Sequence, residues 1–180
     1  MSKETWEWVR SIAIAVVLAM LIRLFLFEVF VVEGASMYPT LDNHERLVVN
    51  KLIYRITEPQ PGDIVVFSYS PRRDFIKRVI GVSGDRIEIC EGVVLVNDCP
   101  LEEPYLLEED CMEFGPVVVP SSSVFLLGDN RNNSMDSRDS NVGCISIDKV
   151  KGKALFVFWP PRGLRLLKEV PAVSQENVRG

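Results

Sequence analysis

Apolar positions are arranged along this chain in two unlike ways. From Ser11 to Ile22 no residue is charged and nearly every one is apolar; Arg23 interrupts the run, and Leu24-Phe25-Leu26-Phe27 resumes it. A stretch with no polar stripe has no face to turn to water, which predicts a helix in apolar surroundings on every side. Its uninterrupted part, residues 11–22, holds 12 residues, fewer than the about 18 that mark a membrane span outright. Counted through Phe27 the run reaches 17 residues. That is roughly 25 Å of helix, enough to cross a bilayer if the Arg23 side chain extends to headgroup level. Trp6 and Trp8 fit an interfacial belt at one end. A cleaved leader of this length would close with a short polar stretch ending in small residues. Here the run passes directly into Phe25-Leu-Phe-Glu-Val-Phe-Val-Val-Glu-Gly34, and a lasting anchor over residues 1–28 is the expectation. Lys3 and Arg10 lie before the run, and no Lys or Arg occurs between Arg23 and Arg46. That asymmetry places the N-terminus in the cytoplasm and residues 29–180 outside.

Beyond Val29 the pattern changes to short β-branched or aromatic runs. They are Arg46–Asn50, Gly62–Phe67, Lys77–Ile80, Arg86–Ile89, Val93–Val96, Val117–Val119, Val124–Leu127 and Ala154–Phe158, separated by Pro, Gly, Asn and Asp. These read as strands and turns, and no stretch after residue 30 sustains a helical period. The connections are too short for helical crossovers, so the sheet is expected to be mainly antiparallel. The fold class is therefore an all-β domain preceded by one N-terminal transmembrane helix.

Composition narrows the chemistry. The formal net charge of -5 and the lack of any Lys/Arg block leave no groove for nucleic acid. The single histidine, His44, lies in Asp42-Asn-His-Glu45, a polar turn in which it reads as a surface residue. A Ser–His–Asp triad, a Cys–His dyad or a His-rich metal site has nothing else to use. Cys90, Cys99, Cys111 and Cys144 contain no C-x-x-C pair, which argues against a zinc knuckle. With Glu91-Gly92 as a hairpin tip, Cys90 and Cys99 are not opposite each other, so a bridge between them is not expected. The cysteine spacing does not reveal any other pairing.

Three segments hold candidate chemistry. Ser36, in Gly34-Ala-Ser-Met-Tyr-Pro-Thr-Leu41, is a sterically open serine and reads as either a turn former or a nucleophile. Lys77 opens the apolar strand Arg78-Val-Ile80. It is either a snorkelling surface lysine or a buried one whose pKa is lowered by about 3 units, enough to act as a base near neutrality. Gly128-Asp-Asn-Arg-Asn-Asn-Ser-Met-Asp-Ser-Arg138 is so dense in donors and acceptors that it must be internally hydrogen-bonded. It lacks the Gly and Glu spacing of an EF-hand calcium loop.

Taken together and in order, these segments resemble type I signal peptidases over nearly the whole chain. The resemblance runs through the N-terminal anchor, Gly34–Leu41, Glu45–Lys51, Pro61–Phe67, Asp74–Asp85, Gly128–Arg138 and the closing Phe158-Trp-Pro-Pro161. It implies a membrane-bound serine endopeptidase that removes signal peptides from secretory precursors and needs no metal or cofactor. Its partners would be those precursors and the lipid bilayer, and the chain is expected to act as a monomer. Ser36 is implied as nucleophile, Lys77 as general base, and the Ser36 N–H as an oxyanion donor. Ser134 is implied to hydrogen-bond and orient the lysine, with Asp136 and Arg138 as a supporting ion pair. Many members carry a serine two positions before the nucleophile; here that position is Gly34, and a second oxyanion donor stays unassigned. Asp139-Ser-Asn-Val-Gly143 also replaces an aromatic often found after the last motif. The resemblance further puts Phe30, Val32, Met37, Leu41, Leu47, Val66, Phe75 and Ile76 around shallow pockets for small residues before the cut, although core packing explains each of them equally well. Two other readings compete with this one. One is a Ser–Lys self-cleaving repressor-type protease, for whose DNA-binding module the chain has neither room nor charge. The other is a silent tethered β-domain, which would need neither Ser36 nor Lys77.

Overall fold

The computed structural model describes residues 3–108 and 112–167. Helix α1 spans Lys3–Phe25, and strand β1, Phe27–Val31, follows after Leu26 alone. Phe27 thus opens a strand and does not close the helix as expected. The reason lies in Phe27-Glu-Val-Phe-Val: β-branched and aromatic residues favour a pleated surface, and β1 pairs with a partner strand along its whole length, from Phe27↔Asn50 to Val31↔Arg46. Along α1 the side chains of Trp6, Trp8, Ile12, Val17 and Met20 are exposed. No helix among the described residues is long and apolar enough to cross a membrane. The Arg23 side chain, expected at headgroup level, lies outside the described part.

Eleven more strands follow: β2 (Arg46–Asn50), β3 (Ile64–Ser70), β4 (Arg73–Val82), β5 (Arg86–Cys90), β6 (Val93–Val96), β7 (Cys99–Pro100), β8 (Phe114–Val118), β9 (Ser123–Leu127), β10 (Ile145–Ser146), β11 (Val150–Trp159) and β12 (Arg165–Leu166). They form two sheets where the sequence predicted one. The larger runs β1-β2-β11-β3-β4-β9-β10, with β12 beside β11, and the smaller runs β7-β6-β5-β8. All these pairings are antiparallel. All five residues of β9 are buried, because both faces of the large sheet are covered there. Ile80, Phe125 and Leu127 meet Ile87, Ile89 and Val94 of the small sheet. Val79, Val124 and Leu126 join Val65 and Phe67 in a separate cluster.

A third cluster fixes the loop between β1 and β2. Val32, Met37 and Leu41 pack with Leu47, Val49, Ile64, Val66, Ala154 and Val157 of the large sheet. Burying a side chain such as Leu41, fully enclosed here, is worth about 1.5–3 kcal/mol, so the loop is pinned at several points. His44 is exposed at a turn with φ 68°, as its polar neighbours predicted. Glu91 and Gly92 form the β5–β6 tip, with Cys90 opposite Val93 and Cys99 opposite Val96. Cys90, Cys99 and Cys144 are free thiols, and Cys111 lies outside the described residues.

Candidate active site

The β1–β2 loop is closed at its ends by two backbone bonds, Val32 N–H to the Glu45 carbonyl and His44 N–H to the Val32 carbonyl, both 2.8 Å. Gly34 turns the chain at φ +95°, a conformation open to glycine at little cost, and donates its N–H to Asn43 Oδ1 at 2.9 Å. Ser36 is half-buried between exposed Ala35 and enclosed Met37. Arg165 fastens the far side of the loop. It forks onto Glu45 at 2.7 and 2.6 Å and donates to the Thr40 carbonyl at 2.7 Å. Burial pushes the Glu45 carboxyl up, but the Arg165 bonds, the Asp42 N–H and the Arg165 charge outweigh it and hold the group below its ordinary value.

Lys77 lies in β4 opposite Val65 and is only 3% exposed. Its Nζ donates to Ser36 Oγ at 2.7 Å and to the Ile76 carbonyl at 3.1 Å, and it sits 5.3 Å from the centre of the Phe75 ring. Burial pulls the amine down to about 8; Asp136 and Asp129 act against this, and Arg138 acts with it. A neutral amine is an acceptor, so at this separation Lys77 can take the serine's proton.

Gly128–Arg138 forms the third wall. A Cβ on Gly128 would stand 2.2 Å from Ser134 Oγ and 2.5 Å from the Ser36 carbonyl oxygen, so only glycine lets these segments touch. The Asn130 N–H holds that carbonyl at 3.0 Å. The dense polar segment is hydrogen-bonded within itself at Asp136 and Arg138. Asp136 accepts the Gly128 N–H at 3.0 Å and a fork from Arg138 at 2.8 and 2.9 Å, and Arg138 reaches the Arg131 carbonyl at 2.7 Å. The Asp136–Arg138 pair is nearly solvent-free. Ser134 requires a correction. It comes against Gly128, but its buried Oγ has no hydrogen-bond partner, so the expected bond to Lys77 is not made. The lysine amine turns to Ser36 Oγ and the Ile76 carbonyl in its place.

The eight expected pocket residues divide. Val32, Met37, Leu41, Leu47 and Val66 are buried core, with Phe30 and Ile76 half-buried against them. Phe75 belongs to another cluster, where it stacks on Tyr69 with centroids 4.6 Å apart. Five of the eight are therefore enclosed, and only Phe30, Phe75 and Ile76 keep partly open surface.

The sequence reading missed one pair. Arg78 grips Asp129 with Nε and Nη2 at 2.9 and 2.6 Å, donates to the Gly62 carbonyl at 3.1 Å, and is 2% exposed. Thr40 donates its hydroxyl to the same Asp129. A charged residue followed directly by a buried apolar run was the available signal. Among the described residues no group of His, Cys, Asp and Glu could hold a metal ion.

A sequence model of the family described as signal peptidase, peptidase S26, matches residues 5–159. The chain belongs to this family. It is 42% identical over 178 residues to Signal peptidase I of Bacillus amyloliquefaciens, covering 93% of this chain and 92% of that one. Identity to Signal peptidase I T of Bacillus subtilis (strain 168) is 42% over 173 residues, covering 90% and 89%. A probable signal peptidase I-2 of Synechocystis is 38% identical over 175 residues, covering 93% of this chain and 79% of that one. A solved signal peptidase I from Enterococcus faecalis V583 is 31% identical, with TM-score 0.48, and covers 54% of this chain and 97% of that one. In this peptidase the matched stretch includes Ser36, Lys77 and the whole Gly128–Arg138 segment.

Proposed function

We propose that the peptidase removes N-terminal signal peptides from secreted precursors, with Ser36 as nucleophile and Lys77 as general base. The observation that carries this reading is the 2.7 Å approach of a buried lysine amine to a serine hydroxyl, in a chain of the signal peptidase family. Neutral Lys77 accepts the Ser36 proton as Oγ attacks the scissile carbonyl carbon, and the Ser36 N–H stabilises the oxyanion. The Gly34 N–H is engaged by Asn43, so Gly34 serves to turn the loop and supplies no donor. As the tetrahedral intermediate collapses, the lysine proton passes to the leaving amine, the N-terminus of the mature protein. Lys77 then deprotonates a water that attacks the acyl ester, and Ser36 regains its proton. Asp136 and Arg138 brace the wall behind the lysine.

The same reading gives substrate selection to a shallow recess, with Phe30, Phe75 and Ile76 as rim and Val32, Met37, Leu41, Leu47 and Val66 as rigid floor. Such a recess admits small residues at the first and third positions before the cut. Because the floor is close-packed, it cannot yield to a larger side chain. Purified peptidase should therefore cut a precursor with alanine at both positions, and leucine at the first position should lower kcat/KM by about a hundredfold or more. Equal cutting of both precursors would sink the proposed selection.

In this reading α1 is a single-pass anchor in the cell membrane, with the N-terminus in the cytoplasm and the catalytic β-domain on the extracytoplasmic face. The exposed apolar side chains of α1, with Trp6 and Trp8 near its start, support it. Only Leu26 separates the helix from β1, which keeps the dyad near the bilayer where a precursor's own signal helix is held. A fragment starting at Leu26 should cut a short soluble peptide as the full chain does. It should cut a vesicle-embedded precursor about tenfold more slowly, because co-localisation raises effective concentration. Matching rates on the embedded precursor would refute the anchoring role.

A further inference from the structure

The connection between β7 and β8 belongs to the small sheet, yet two of its side chains reach the walls of the dyad. The Tyr105 ring lies 3.9 Å from the Arg78 guanidinium carbon, and its hydroxyl donates to Glu103 Oε1 at 2.6 Å. Glu103 takes both terminal nitrogens of Arg131, one at 2.9 Å, in an ion pair whose side chains are 0% and 7% exposed. Arg131 Nε in turn donates to the Gly128 carbonyl at 3.2 Å. One connected chain thus ends on the neighbour of Lys77 in β4 on one side. On the other it ends on Gly128, where a Cβ would run into Ser134 and the Ser36 carbonyl.

We infer that Glu103 and Tyr105 are positioning residues that hold the two walls of the dyad in register, Tyr105 through Arg78 and Glu103 through Arg131. The simpler reading is that they glue the two sheets together. The apolar cluster between the sheets, with Ile80, Ile87, Ile89, Val94, Phe125 and Leu127 fully enclosed, already does that. Buried ion pairs are a weak way to add stability because desolvation offsets their attraction. They are effective at orientation: a planar guanidinium stacked on a ring and forked onto a carboxylate has little freedom left. Burial and the Glu103 carboxylate push the Tyr105 phenol far up, so it remains a donor across the working range and does not itself titrate there. The groups that face the Lys77 amine are Asp136, Asp129 and Arg138, together with the Ser36 hydroxyl. Loosening Arg78 frees Asp129 from its partner, and an unneutralised Asp129 favours the charged lysine.

This inference rests on Lys77 being the base. The test is steady-state cleavage of an alanine-site precursor by the full chain in detergent, across pH, for Tyr105→Leu, Tyr105→Phe and Glu103→Gln, with Lys77→Met as control. Tyr105→Leu should lower kcat about thirtyfold to a hundredfold, as misplacement by about an ångström does, while KM stays within about threefold. Its acid limb should move to higher pH, because the lysine charges more easily. Tyr105→Phe keeps the ring over Arg78 and should lose less than about fivefold; Glu103→Gln should lose about tenfold. A folded Tyr105→Leu with unmoved kcat and acid limb overturns the inference, as does an equal loss in Tyr105→Phe. If Tyr105→Leu fails to fold, Glu103→Gln decides, and an unmoved kcat there overturns it. Activity surviving in Lys77→Met refutes the dyad itself, a separate failure.

Discussion

Replacing Lys77 by methionine should abolish cleavage and, at neutral pH, make the folded chain more stable. The loss of activity should exceed about a thousandfold, because without a base the Ser36 hydroxyl is a poor nucleophile. Ser36→Ala should cost about as much, and the double variant no more than either, since two groups acting as a unit are not additive. The stability change has the opposite sign. Burial lowers the amine from 10.5 to about 8, so its folded value lies below its unfolded value. Below pH 8 the native state binds a proton in a site that disfavours the charge, and the penalty is at its full size. From pH 8 to 10.5 the unfolded chain binds more protons than the native one, and stability climbs with pH. At about 1.4 kcal/mol per pH unit the penalty is of the order of 3 kcal/mol. Lys77→Met should therefore raise the urea midpoint at pH 7, with the gain vanishing by about pH 10.5. A variant no more stable at pH 7 would show that the lysine is not desolvated. In the parent chain, kcat/KM should rise with pH and level off above about 8.

The second large effect concerns Asp129. Removing it by Asp129→Ala leaves the Arg78 guanidinium, with a side chain 2% exposed, facing an emptied site and no counter-charge. A buried pair broken from one side typically costs about 3–5 kcal/mol, much of a small domain's whole stability. Replacing both partners with apolar residues, Arg78→Met with Asp129→Leu, should restore most of the midpoint while leaving cleavage impaired. The contrast is Lys151–Asp74, whose side chains are 40% and 27% exposed; breaking it should cost under about 1 kcal/mol. Denaturant unfolding of the three variants measures both claims. Asp129→Ala losing no more than Asp74→Ala would mean that water reaches the buried pair.

Much of the fold could be read from patterning. Arg46–Asn50, Val93–Val96 and Val124–Leu127 fall on β2, β6 and β9 within a residue, since uninterrupted β-branched runs have few other stable states. Phe27 misled because an aromatic next to an apolar helix suits either element; pairing with Asn50, 23 residues away, decided it. That the strands divide into two sheets was hidden for the same reason, as it depends on pairings and not on runs. Ser36 and Lys77, 41 residues apart, do touch, yet their local contexts read equally well as a turn serine and a snorkelling lysine. Only the order of surrounding motifs brought them together. Ser134 was given a bond that it does not make, because proximity in a fold does not fix where a hydroxyl points. Val66 and Leu47 were legible as apolar, but a pocket lining and a core have the same composition, and only the structure shows that these two are fully enclosed. Arg78 and Asp129, 51 residues apart, were invisible as a pair.

The place of β11 has a consequence for how the molecule is made. This strand, residues 150–159, lies between β2 and β3, so the two earlier strands share no backbone ladder until it arrives. A ribosome releases the N-terminal portion first, and a chain lacking β11 has two separate half-sheets, one holding the Ser36 loop and the other holding Lys77. The Ser36–Lys77 contact therefore has no continuous sheet beneath it until β11 is in place. The sheet beneath the candidate site is thus completed only when almost the last strand is threaded in, an order of assembly set by topology.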